Sequence, residues 1–160
     1  VAFDKQNSHN NNNNGNNYYY HDIKEDNNEK VKKYRMNLNQ EFLDIFVEFM
    51  RLAYTRNIAE LKGWTDRITV RGREWQKRFL AYCQKQVREN FIHNFHLPEI
   101  NYQTQQEAAF SVKFAPFINE SNVVGLMQEL ELAQRHIEQN VSATMVFFDL
   151  LVKVIMLLKN

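Results

Sequence analysis

From Asn39 onward, apolar residues recur at intervals of three and four. Phe42, Ile45, Phe46, Phe49, Leu52 and Ala53 fall on one face of a helix. Asn39 reads as its N-cap, with Glu41 favourably placed in the first turn. Ile58, Leu61, Trp64 and Ile68 repeat the period and end near Gly72, which reads as a helix-terminating residue in the left-handed region. A third stripe runs Trp75, Phe79, Tyr82 or Cys83, Gln86 or Val87, Phe91 and Phe95, with Pro98 stopping it. A short piece follows around Glu107 to Phe114, then Ala115-Pro116-Phe117; Phe110, Phe114 and Phe117 are expected to plug the core. Asn119 or Ser121 can cap a fifth helix carrying Val123, Val124, Met127, Leu130 and Ile137, and Ser142 a sixth that runs to about Lys159.

The sixth segment differs from the others. Its apolar residues, Met145 through Leu158, cover nearly the whole circumference, as in a helix buried centrally or at an interface. Asp149 and Lys153, one turn apart, argue against a membrane span. Such a helix needs cover on more than one side, which points to association with another chain. The first 37 residues have no comparable pattern. Ten of the chain's 20 Asn fall within residues 1–30, and a stretch of that kind buries too little apolar surface to offset the entropy of ordering. Residues 1–37 therefore read as a disordered or extended low-complexity linker, with Tyr18-Tyr19-Tyr20 as a sticky patch, and 38–160 as one helical domain.

Composition sharpens this picture. Four Gly and two Pro in 160 residues disfavour turn-rich all-β folds and glycine-dependent nucleotide folds. One cysteine, Cys83, forms no intramolecular disulfide, fits a reducing cytoplasmic compartment, and reads as a buried thiol. The chain opens Val-Ala-Phe without a signal-peptide pattern and is expected to be part of a longer protein. A net charge of +1 argues against a polyanion-coating protein, but residues 51–98 carry ten basic and four acidic side chains. That segment offers a basic face for phosphates or for an acidic neighbouring subunit.

The chemistry that would make an enzyme is missing from the pattern. Glycines at 15, 63, 72 and 125 build no phosphate loop, and there is no GxSxG, HExxH or cysteine pair. His93 and His96 have no third ligand at useful spacing, and Glu74 and Glu89 are too far apart to act as a carboxylate pair. No catalytic, cofactor-binding or metal residue is assigned. Arg71, Arg73, Lys77 and Arg78 cluster on one helical face, as a phosphate site, a solvated face with Glu74 pairing Arg78, or a docking face.

Three stretches together resemble a known family: Phe49-Met50-Arg51-Leu52-Ala53-Tyr54; Gly72 to Tyr82 (GREWQKRFLAY) continuing to Val87-Arg88-Glu89-Asn90-Phe91; and Phe114-Ala115-Pro116-Phe117-Ile118-Asn119, with His136 to Asn140 and Phe147 to Leu150 further on. The resemblance, over roughly 39–158, is to the C-terminal domain of delta-prime subunits of the bacterial DNA polymerase III clamp loader, Bacteroidetes type. It implies an all-α collar domain of five or six helices. Five such domains close a ring that holds ATPase-type subunits, delta and delta-prime together as a hetero-pentamer. That assembly uses ATP to load the sliding clamp in DNA replication, and the AAA+ module, with any zinc site, would lie outside this chain. The expected function is non-catalytic subunit assembly, with Arg73, Trp75, Lys77, Arg78, Phe148, Leu151 and Ile155 as interface candidates. Its rivals are a helical DNA-binding module using the basic 51–98 segment, and a small helical enzyme or ligand carrier.

Overall fold

The computed structural model describes the backbone of residues 14–159 and the side chains of residues 28–159. Within that range the chain is all-α: α1 (Asn14–Thr55), α2 (Ile58–Thr69), α3 (Arg73–His93), α4 (Gln105–Phe114), α5 (Val123–Glu138) and α6 (Ala143–Leu158), with 3-10 turns at Pro98–Ile100 and Ala115–Phe117. No described helix is long and apolar enough to cross a membrane. The chain divides into two compact units, 1–40 and 41–160.

In the first unit the backbone is helical from Asn14, which corrects the expectation of an extended or disordered arm for residues 14–37. Nothing in residues 16–62 is Gly or Pro, and Lys, Glu, Arg and Met between 24 and 36 are good helix formers. Glu29 and Lys32 pair across one turn at 3.6 Å, while Val31, Tyr34 and Met36 are exposed. Asn39 lies inside α1 and does not cap it. The side chains of Tyr18 to Tyr20 lie outside the described residues.

The second unit packs around Trp64. Its ring stacks on Phe49 at 4.8 Å and meets Phe79 at 6.1 Å and Phe147 at 6.2 Å, so residues of α1, α2, α3 and α6 converge on one indole. Phe46 extends the cluster to Phe110 and Phe114 of α4, each at 5.9 Å, as expected for those two, whereas Phe117 is exposed and does not plug the core. α5 packs against both α3 and α6, and α2 against α6.

Helix ends carry most of the differences from the sequence pattern. α2 is capped by Asn57, whose Oδ1 accepts from the Glu60 amide at 3.3 Å, and α4 by Thr104, whose hydroxyl accepts from the Glu107 amide at 3.2 Å. Gly72 is not left-handed: at φ −65° and ψ 157° it is the N-cap of α3, and its carbonyl accepts from the Gln76 amide. α2 ends instead on the Gln76 side chain, described below. α3 stops at His93, before Pro98: the Asn94, Phe95 and His96 backbone amides turn onto the carbonyls of Phe91, Ile92 and His93, and His96 is left-handed at φ 54°. The Asn94 side-chain amide donates to the carbonyls of Ala115 and Ile118 at 2.9 and 2.8 Å. Asn122, rather than Asn119 or Ser121, is the N-cap of α5; it is buried and its Nδ2 donates to the Phe117 carbonyl. α5 closes with Asn140 at φ 61°, the Val141 amide donating to the His136 carbonyl and the Asn140 amide to that of Ile137. Ser142 is the N-cap of α6, as its place before the apolar run predicts, although its side chain makes no capping bond.

Candidate functional site

The start of α3 gathers Arg73, Trp75, Gln76, Lys77 and Arg78 within two turns. Gln76 is buried, and its Nε2 donates towards the carbonyls of Ile68, Thr69 and Arg71, at 3.3, 3.4 and 2.7 Å. One amide thereby satisfies the orphan end of α2 that a left-handed glycine would otherwise close. Arg73 reaches the other way: its guanidinium donates to the carbonyls of Ile137, in the last turn of α5, and Val141, beyond it, at 3.2 and 3.1 Å. A cation there also opposes the negative end of that helix. Lys77 sits between Glu74 at 3.1 Å and Glu138 at 3.7 Å, and the hydrogen bond and charge of Glu74 hold its ammonium above the usual lysine range. Glu74 therefore pairs with Lys77, where the sequence suggested Arg78.

Trp75 is half-buried, stacked on Phe79 at 5.6 Å and met edge-on by Phe42 at 5.4 Å, with the Arg71 guanidinium 4.2 Å above its ring. Arg71 is itself paired with Glu41 at 2.6 Å, and Arg67 with Glu48 at 2.5 Å. Of the proposed docking residues on α3, Arg73, Trp75 and Lys77 are thus engaged within the chain. Of these four, Arg78 is the exposed one with neither an ion pair nor a hydrogen bond from its side chain among the described residues.

α6 has a different outer surface. Met145, Phe148, Val152 and Met156 follow at intervals of three and four and remain 69%, 48%, 40% and 63% exposed. Val146, Phe147, Leu150, Leu151 and Val154 face the core. Leu151 is 0% exposed, so it is removed from the docking candidates: α6 turns it inward against the rest of the unit. Phe148 stays at the centre of the exposed stripe, and Ile155 is half-buried at its edge. Lys153 bonds Asp149 at 2.9 Å and Glu129 of α5 at 3.0 Å, an anchor that fixes the roll of α6 and raises the Lys153 pKa, the bond to Asp149 foremost.

A buried polar seam between α3 and the segment after it escaped the sequence reading. Gln86 donates to the Glu107 carboxylate, Glu89 accepts from the Tyr102 amide at 2.8 Å and from Arg88 at 2.9 Å, and Gln103 donates to Ser111 at 2.6 Å. The Tyr82 hydroxyl, Gln86 Oε1, Asn90 Oδ1 and Asn101 Oδ1 are buried without a protein partner. Burial first, and the nearby Glu107 charge second, push the Tyr82 hydroxyl pKa well up. The signal available was the spacing of Tyr82, Gln86 and Asn90, polar groups four residues apart on a face expected to be apolar. These groups hold α4 and its preceding loop to α3.

Cys83 is fully buried, and burial pushes its thiol pKa up, so it is a core side chain rather than a nucleophile. His96 is exposed at φ 54°, and among the described residues no three His, Cys, Asp or Glu side chains gather as metal ligands would. No family model, curated protein or solved structure matches the chain.

Proposed function

We propose that this chain is a collar domain of a bacterial clamp-loader subunit of the delta-prime type, and that its work is subunit assembly. The exposed stripe of Met145, Phe148, Val152 and Met156 on α6 carries the reading. Contiguous apolar side chains on a helix pinned in place by the Lys153 bridges suit permanent contact with a neighbour, where burial of apolar area supplies the association energy at roughly 25 cal/mol per Å². The motif resemblance over 39–158 and the all-helical fold support the same assignment. The partners are then ATPase-type clamp-loader subunits and delta, and the ATP chemistry belongs to them.

The rival reading, a DNA-binding face on residues 51–98, is weakened by how those cations are used. Six of its ten are engaged: Lys62 with Asp66, Arg67 with Glu48, Arg71 with Glu41, Lys77 with Glu74, Arg88 with Glu89, and Arg73 with backbone carbonyls. Counterion release, the source of non-specific DNA affinity, needs cations that are not already neutralised.

The test is size exclusion with light scattering on the chain mixed with an ATPase-type clamp-loader subunit. The expected result is a mixed complex that forms at micromolar concentration and persists in high salt. A chain that stays monomeric beside a folded partner, or that binds duplex DNA with a steep salt dependence instead, overturns the assignment.

A further inference from the structure

A second surface is built differently from the α6 stripe. Val47, Met50 and Tyr54 of α1 face Phe110 and Phe114 of α4 and the adjacent Phe117 across a groove of about 280 Å³ that ends at Leu158. Beyond Tyr54 and Leu158 lies a smaller depression of about 140 Å³, floored by Ala53 and Ile155. Tyr54 and Phe117 touch edge to face at 4.8 Å and are both exposed, so the wall of the groove is aromatic and accessible. Arg51 and Lys113 stand at the first depression and Arg56 and Lys159 at the second; among the described residues no Asp or Glu lines either. All four cations are exposed, and none has an ion pair among the described residues.

The geometry points to a docking groove for an acidic peptide segment of a partner protein, anchored by two apolar side chains. Two depressions separated by one side-chain wall match two anchors about a helical turn apart, the spacing by which an amphipathic segment enters a groove. Four cations spread around the rim match several carboxylates along a chain better than the one headgroup of a small amphiphile. The lining is aromatic, Met and aliphatic with Arg at its edge, the composition of interface hot spots. Single-stranded nucleic acid would also find cations and exposed rings, but Val47, Met50, Ile155 and Leu158 offer nothing to base edges. This groove shares Ile155 and Leu158 with α6 but none of Met145, Phe148, Val152 and Met156, the exposed stripe on which the clamp-loader reading rests.

Fluorescence anisotropy on the full chain tests it, with a short labelled helical peptide bearing two leucines one turn apart among glutamates. Micromolar binding is expected. Affinity should fall about tenfold or more when lysines replace the glutamates or alanines the leucines, and likewise in Arg51→Glu/Lys113→Glu. Arg56→Glu/Lys159→Glu and Tyr54→Ala serve as second variants, each checked for unchanged helicity, and Lys85→Glu, at an exposed residue that lines neither depression, should bind normally. Failure of the glutamate peptide to bind, equal binding of the lysine peptide, indifference to the charge reversals, or tighter capture of labelled oligothymidylate by the same four cations each overturns the proposal.

Discussion

At the start of α3 polar side chains close the ends of neighbouring helices, whereas along the outer face of α6 four apolar side chains stand in solvent. Both regions attract attention in the sequence, one for its charge and the other for its hydrophobicity. The cationic end turns inward: Arg73 and Gln76 bind carbonyls at the ends of α5 and α2, and Lys77 bridges Glu74 and Glu138. The apolar stripe turns outward because Val146, Phe147, Leu150, Leu151 and Val154 fill the core on the other side of α6, with the Lys153–Glu129 bridge to α5 on its flank. A cluster of like charges therefore signals helix capping here, and the surface available for a partner is the one that capping and salt bridges leave bare.

Gln76→Ala should give the largest effect on the capping side. It takes the Gln76 donor from the carbonyls of Thr69 and Arg71 at and just after the end of α2 and removes a buried amide, and is expected to cost about 1–3 kcal/mol in urea denaturation. Arg73→Glu follows, at about 1–2 kcal/mol, since it removes two charge-assisted bonds and places a carboxylate at the negative end of α5. Phe148→Glu and Arg78→Glu are expected to change folding stability by less than about 0.5 kcal/mol, because both side chains are exposed. An effect of Phe148→Glu on folding comparable to that of Gln76→Ala would break the contrast.

The smallest effect concerns alkaline pH. Glu74 holds the Lys77 ammonium above its ordinary value of 10.5, so the stability this pair adds is fully present below that pH. It is lost as pH rises through the higher folded value. Lys77→Met should remove only that shallow alkaline component of the stability curve and leave the neutral region nearly unchanged.

From residue 39 to the end of α5 the helices are legible from period, because each apolar stripe is flanked by polar positions that fix its phase, whereas the earlier part of α1 has no such stripe. α6 is not legible in that sense. Phe147, Phe148, Leu150 and Leu151 are all apolar, and only the packing of α2 and α5 and the Lys153 bridges decide that Phe148 faces out while Leu151 faces in. Helix termini failed for a related reason. Gly72 and Pro98 are local signals, but the end of α2 is met by the Gln76 side chain, and α3 ends in a turn to a left-handed His96, beside which Asn94 reaches Ala115 and Ile118, more than 20 residues away in sequence. The α1–α4–α6 groove was hidden for the same reason: its cations, Arg51, Arg56, Lys113 and Lys159, come from three separate parts of the chain.

The most direct test of the central claim compares Phe148→Glu with Arg78→Glu in binding to an ATPase-type clamp-loader subunit, titrated at low and high salt. Assembly through the α6 face predicts that Phe148→Glu weakens binding by about tenfold or more at both salt concentrations while Arg78→Glu changes it little. Binding abolished by Arg78→Glu and by salt, with Phe148→Glu indistinguishable from the natural chain, would contradict it.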